Sequence, residues 1–230
     1  MDARITRRGS LVKLGGLAAA ALGTGAWKAA TEADGAGPAA VASGAVSCVL
    51  APEQTEGPYY VPSAKVRRDV TEGKPGTLLI LQLKVVDASS CRAIKGASVD
   101  IWHCDASGAY SGVQGSQRTT FLRGIQKADA KGVATFKSIY PGYYPGRTVH
   151  IHVKVHLGGN VVHTGQLYFP DATTDAVYRA APYSSRPARA MRNAGDSIYR
   201  NGGKRSQLTV RKRSGAPGYT GAITMGVHRS

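Results

Sequence analysis

The stretch Val149-His150-Ile151-His152-Val153-Lys154-Val155-His156 holds three of the chain's six histidines in strict alternation with apolar residues. Alternation places His150, His152 and His156 on one face of a β-strand. Two imidazoles at i and i+2 are close enough to bind one metal ion, and imidazole suits Fe, Cu, Zn and Ni. By itself, though, a His-x-His pair reads more readily as half-exposed strand positions or structural hydrogen-bonding groups. No Asp, Glu or Cys occurs between Lys131 and Asp171 to complete a common zinc set. Tyrosine is what abounds, in Tyr140-Pro-Gly-Tyr-Tyr-Pro-Gly-Arg147 and, further back, in Trp102-His-Cys-Asp-Ala-Ser-Gly-Ala-Tyr110. A phenolate is a hard anionic oxygen donor that a strongly charged cation can bind deprotonated. Two phenolates with two imidazoles would suit ferric iron better than zinc. The residues alone leave a Tyr/His metal site, a zinc or copper hydrolase and a purely structural histidine strand all open.

The elements that must position these groups read as strands. Thr77 to Val86 is an apolar run, and Ser98 to His103, Val133 to Ile139, Val149 to Leu157 and Val161 to Tyr168 alternate. Turn signals separate them at Asp87-Ala-Ser-Ser90, Asp129-Ala-Lys-Gly132 and Gly158-Gly-Asn160. The pattern predicts a mainly β chain: an antiparallel β-sandwich with short helices and long loops. Helices are expected only around Asp175 to Arg179 and Arg186 to Ala194. On this reading His103 faces away from the histidine pair and is structural, and His156 lies too far along its strand to join it. Tyr59, Tyr60 and Tyr143 read as packing or pocket-lining residues, and His163 and His228 carry no argument.

The 230-residue chain has a formal net charge of +16, and residues 179 to 213 hold ten Lys or Arg against one acid, Asp196. Such charge invites a nucleic-acid reading, but the cluster carries no zinc-finger or RNP-like motif. No nucleic-acid partner is expected; the cluster reads as solubilising, or as attracting anionic substrates or polymers. At the N-terminus Arg4, Arg7 and Arg8 precede the apolar run Leu11 to Ala26, which suits an export signal rather than a membrane span. Arg7-Arg8 stands where twin-arginine signals carry their pair, with Ser10 where Phe is common. Residues 1–45 are therefore expected to be an export signal and Ala/Gly-rich linker engaging the twin-arginine machinery. The mature protein, without a membrane span, is then periplasmic, envelope-bound or secreted. Cysteines 48, 91 and 104 leave one thiol over, and the expected bridge is Cys48 with Cys91.

Six segments occur in order: Thr55-Glu-Gly-Pro-Tyr-Tyr60, Val99-Asp-Ile-Trp-His103 through Tyr110, Phe121-Leu-Arg-Gly124, Tyr140-Pro-Gly-Tyr-Tyr-Pro145, Arg147 through His152, and Gly165-Gln-Leu-Tyr-Phe169. Together they resemble the intradiol ring-cleavage dioxygenases, the family of catechol and protocatechuate dioxygenases, over residues 46–230. The resemblance implies a β-sandwich enzyme with a non-haem Fe(III) cofactor held by Tyr110, Tyr144, His150 and His152. It further implies that Arg147 and Gln166 are active-site residues. The expected substrates are a catechol-type diol and O2, with cleavage between the hydroxylated carbons to a muconate-type dicarboxylate. Its rival from a different class is a non-catalytic β-sandwich binding or carrier protein of the cell envelope.

Overall fold

The computed structural model describes residues 50–62, 64–113 and 118–229. The expected export segment and Cys48 lie outside the described residues. Eight strands are present: β1 (Leu78–Asp87), β2 (Ser98–Trp102), β3 (Arg123–Lys127), β4 (Val133–Ile139), β5 (His150–Leu157), β6 (Asn160–Tyr168), β7 (Thr209–Lys212) and β8 (Tyr219–Val227). They form two four-stranded sheets, ordered β4-β1-β8-β7 and β3-β2-β5-β6. The helices are short, α1 (Asp171–Val177) and α2 (Ser197–Arg200). Among the described residues no helix is long and apolar enough to cross a membrane.

The period of two divides each strand between two tasks. Leu79, Leu81, Leu83 and Val85 of β1 are fully buried, as are Val99 and Ile101 of β2, Phe136 of β4, and Ile151, Val153 and Val155 of β5. These side chains make up the core cluster between the sheets. The alternate residues of the second sheet (Trp102, His150, His152, Gln166) point to its other face. That face is roofed by residues 50–62 and 64–69, which are tied down by Ala51 N to Gly226 O (2.9 Å), Gln54 N to Thr164 O (2.9 Å) and Arg67 N to Ile125 O (3.0 Å).

Three expectations are corrected. The pairing is not wholly antiparallel, because β8 runs parallel to β1 over Leu79↔Tyr219 to Asp87↔Val227. Strands β3, β7 and β8 were not expected at all; Arg-Gly-Ile-Gln-Lys and Tyr-Thr-Gly-Ala-Ile-Thr-Met-Gly-Val dilute the alternation with glycine and polar residues. The first expected helix starts earlier, at Asp171, and the second is absent. Residues 186–192 form no helix, with Arg186 and Arg192 extended, between the short 3-10 turns Tyr183–Ser185 and Asn193–Gly195. Pro187 removes a helical donor, and the arginines are committed to tertiary partners. Arg186 donates to Ala106 O and Tyr143 O, Arg189 pairs with Asp171 and Asp175, and Arg192 pairs with Asp175. Part of the basic cluster is thus structural rather than a free surface charge. Cys91 is disulfide-bonded, whereas Cys104 is a free, buried thiol.

His103, just past β2, links the two sheets. Its Nδ1–H donates to Cys104 O at 2.8 Å, which leaves Nε2 to accept from the Ser138 hydroxyl of β4 at 2.7 Å. Complete burial pushes its pKa down to about 4. Below the ordinary value near 6.5 the unfolded chain takes up a proton that the folded chain refuses. Stability from this residue is therefore whole above about pH 6.5 and falls towards about pH 4, by on the order of 3 kcal/mol. Urea unfolding across that range should show the loss, and His103→Gln should flatten it.

Candidate metal centre

The four expected metal donors come from three places. His150 and His152 stand at the start of β5, where β5 lies between β2 and β6. Tyr144 comes from the loop entering β5, and Tyr110 from the loop after β2. Their polar atoms converge. His150 Nε2 is 3.0 Å from the Tyr144 hydroxyl and 3.1 Å from His152 Nε2. The rings of Tyr110 and Tyr144 meet edge to face with centroids 5.7 Å apart. All four side chains except Tyr144 are buried below a tenth of their exposure. The Tyr110 hydroxyl is buried with no hydrogen-bond partner.

Each imidazole is held in a defined orientation. His150 Nδ1–H donates to Thr148 O at 2.6 Å, which aims the lone pair of Nε2 at the cluster. His152 is held by stacking: the Trp102 ring lies parallel to it, 7° off, with centroids 4.9 Å apart. Backbone of the roofing segment also comes close to His152. Gly57 sits in the roofing segment at φ +72°, and a Cβ there would lie 3.1 Å from His152 Cε1. Gly57→Ala should therefore cost about 1–2 kcal/mol, through left-handed backbone strain and this contact. Thermal unfolding should register it as a fall in Tm of roughly 2–8 °C at this chain length.

Electrostatics keep the set neutral in the absence of a cation. Burial, reinforced by the Arg147 charge, pushes His150 down to about 3, and burial with His150 beside it holds His152 well below the ordinary value. Burial raises Tyr144 to about 12. Burial also holds Tyr110 well above the ordinary value, with Cys104 and Tyr144 adding to it. A phenolate at this position needs a strongly charged partner. Ligands of one ion at about 2.0–2.1 Å lie about 3 Å from one another, and His150 Nε2 stands at that spacing from both the Tyr144 hydroxyl and His152 Nε2. The donor set, two neutral imidazoles and two phenols with one hydroxyl orphaned, fits ferric iron. Among the described residues no group of three or more His, Cys, Asp or Glu offers a competing site.

Arg147 and Gln166 stand beside the donors and touch each other. Arg147 Nη2 donates to Gln166 Oε1, and Gln166 Nε2 donates to Thr55 O at 3.0 Å. Gln166 is opposite His152 in the β5–β6 register. Tyr59 stacks on Tyr110 at 4.5 Å, and Tyr60 packs on Trp102 at 4.8 Å. Tyr143 points away and donates to Pro187 O at 2.6 Å. His156 lies beyond a register irregularity in β5. His163 is paired with Glu53 at 2.6 Å and anchors the roofing segment. Sequence reasoning missed Asp196, which receives Arg147 Nε at 2.8 Å.

The family model described as Dioxygenase matches residues 55–181, just over half of the chain. The structure of an intradiol ring-cleavage dioxygenase from Tetranychus urticae is 34% identical, with a TM-score of 0.74, covering 79% of this chain and 95% of that one. The chain belongs to the intradiol ring-cleavage dioxygenase family. A second similar structure is the dioxygenase domain of a dioxygenase carbohydrate-binding protein fusion from Streptomyces sp. SirexAA-E. It is 31% identical with a TM-score of 0.60, covering 79% of this chain and 99% of that one. A catechol 1,2-dioxygenase from Pseudomonas sp. (strain EST1001) is 35% identical over 98 residues, 40% of this chain. The match spans only 32% of that relative's length, and 52% of a chlorocatechol 1,2-dioxygenase from Cupriavidus pinatubonensis.

Proposed function

We propose that the protein is a non-haem Fe(III) intradiol dioxygenase that cleaves catechol-type diols with O2 between the two hydroxylated carbons, giving muconate-type dicarboxylates. The observation that carries the reading is the meeting of the His150 and His152 Nε2 atoms with the Tyr144 hydroxyl, beside the Tyr110 ring whose hydroxyl is buried and unpartnered. Tyr110, Tyr144, His150 and His152 would hold the iron. The chemistry a ferric ion would supply there is Lewis-acid activation of the diol towards O2.

The chain's own groups orient and stabilise. Arg147 is a fixed positive charge beside the donors, suited to stabilising negative charge that develops on the substrate. Gln166, locked between Arg147 and Thr55 O, offers an oriented amide. Tyr59, stacked on Tyr110 and edge to face with Tyr144, adds aromatic surface beside the donors. The roofing segment with Tyr59 and Tyr60 is the element through which ring substituents would be discriminated. Residues 1–45 are proposed to direct the folded protein out of the cytoplasm by the twin-arginine route, after iron has been acquired.

Oxygen uptake by the iron-loaded protein with catechol, protocatechuate, hydroxyquinol and lignin-derived diols tests the reading, with product mass and absorbance as the second measurement. Uptake with a muconate-type product is expected. No uptake from any diol, by protein showing the visible band of ferric phenolate, would overturn it.

A further inference from the structure

Arg147 carries a role in the proposed reaction, yet it sits on a loop, where a long side chain does not hold its own orientation. What fixes it is Asp196. This carboxylate is 1% exposed, and its two oxygens divide their partners. Oδ1 caps α2 by accepting from Ile198 N (2.8 Å) and Tyr199 N (3.0 Å). Oδ2 accepts from Arg147 Nε (2.8 Å) and from Thr148 N (2.8 Å). With Nη2 on Gln166, the planar guanidinium is anchored at two of its edges. The hold extends one residue further, because Thr148 supplies the carbonyl that orients His150. Its hydroxyl in turn donates to Asn193 Oδ1 at 2.7 Å, while Asn193 Nδ2 donates to Phe169 O at 2.8 Å.

We infer that Asp196 is the positioning residue for Arg147, and that the catalytic contribution of Arg147 depends on the Asp196 carboxylate; this rests on the dioxygenase reading above. Burial alone would raise the carboxyl's pKa, but the backbone donors of Thr148 and Tyr199 and the Arg147 side chain outweigh it and hold it below the usual range. Asp196 is therefore ionised at neutral pH and its charge is spent on the arginine. Arginine with two fixed partners is a preorganised charge; arginine without them is a mobile one.

Asp196→Asn and Asp196→Ser separate the two roles, because both residues are good helix N-caps and both remove the carboxylate from Arg147. Each is expected to lower kcat about 10–100-fold, with KM and the visible absorption band little changed. Tm falls as well, because Arg147 Nε and Thr148 N both lose their buried acceptor. In an Arg147→Gln background the same substitutions should lower kcat no further, since groups that act through one another are non-additive. An equal fall in both backgrounds would overturn the inference. So would a loss confined to Tm with kcat retained, or failure of both variants to fold, since each makes the role structural. Wild-type oxygen uptake is measured alongside. An inactive wild type brings down the dioxygenase reading and this inference with it, whereas an active wild type with additive variants brings down only the inference.

Discussion

Replacing both Tyr110 and Tyr144 with Phe is expected to abolish the visible charge-transfer band of the iron-loaded protein and to cut turnover of its diol by about 100-fold or more. Loss of groups that merely support metal ligands costs about 10–100-fold, and these two are the proposed anionic ligands themselves. Stability should move in the other direction. The Tyr110 hydroxyl is buried without a partner, and such a group costs about 1–3 kcal/mol. Tyr110→Phe should therefore leave the metal-free protein equally stable or more stable, by thermal unfolding. A residue kept only for packing would behave differently: Phe preserves the ring, so stability, colour and activity would all survive the substitution. Full activity and unchanged colour in the double variant would remove Tyr110 and Tyr144 from the metal site.

The second large effect is at Arg147. Arg147→Gln keeps a polar side chain of intermediate length but removes the charge, and kcat is expected to fall about 100–1,000-fold, the usual cost of losing a preorganised electrostatic group. KM should change little, because the charge is needed where negative charge develops rather than in ground-state binding. Arg147→Lys should recover little of the loss. Its single ammonium cannot reach Asp196 and Gln166 in the forked arrangement that the guanidinium makes. Steady-state oxygen uptake on the three proteins reads the split. A Lys variant with wild-type kcat would show that charge alone suffices and that the fork is dispensable.

What could be read from sequence was what is local. β5 announced itself because His150, His152 and His156 alternate with Ile151, Val153 and Val155, so face and strand are encoded within eight residues. Arg147 and Gln166 were found by ordered motifs near that strand. Asp196 could not be found this way. It is 49 residues from Arg147, lies among ten basic residues, and looks like a solvated acid until folding buries it. The second expected helix failed for a related reason. Ala188, Arg189, Ala190, Met191 and Arg192 favour helix locally, but Arg189 and Arg192 are recruited by Asp171 and Asp175. β8 was lost because its apolar content is spread among Gly221, Ala222, Thr224 and Gly226, and its parallel partner β1 is more than a hundred residues away.

The division of the second sheet into two faces bears on how such a protein can change. Ile101, Ile151 and Val153 fold it, and Trp102, His152 and Gln166 serve its chemistry, yet the two sets are interleaved in the same strands. Folding load and chemical load are thus carried by odd and even positions of one ribbon. A substitution on the outer face leaves the packing between the sheets alone. On the proposed reading, diol preference would be retuned by editing the segment that carries Tyr59 and Tyr60, packed on Tyr110 and Trp102, while the sandwich beneath remains the same chassis.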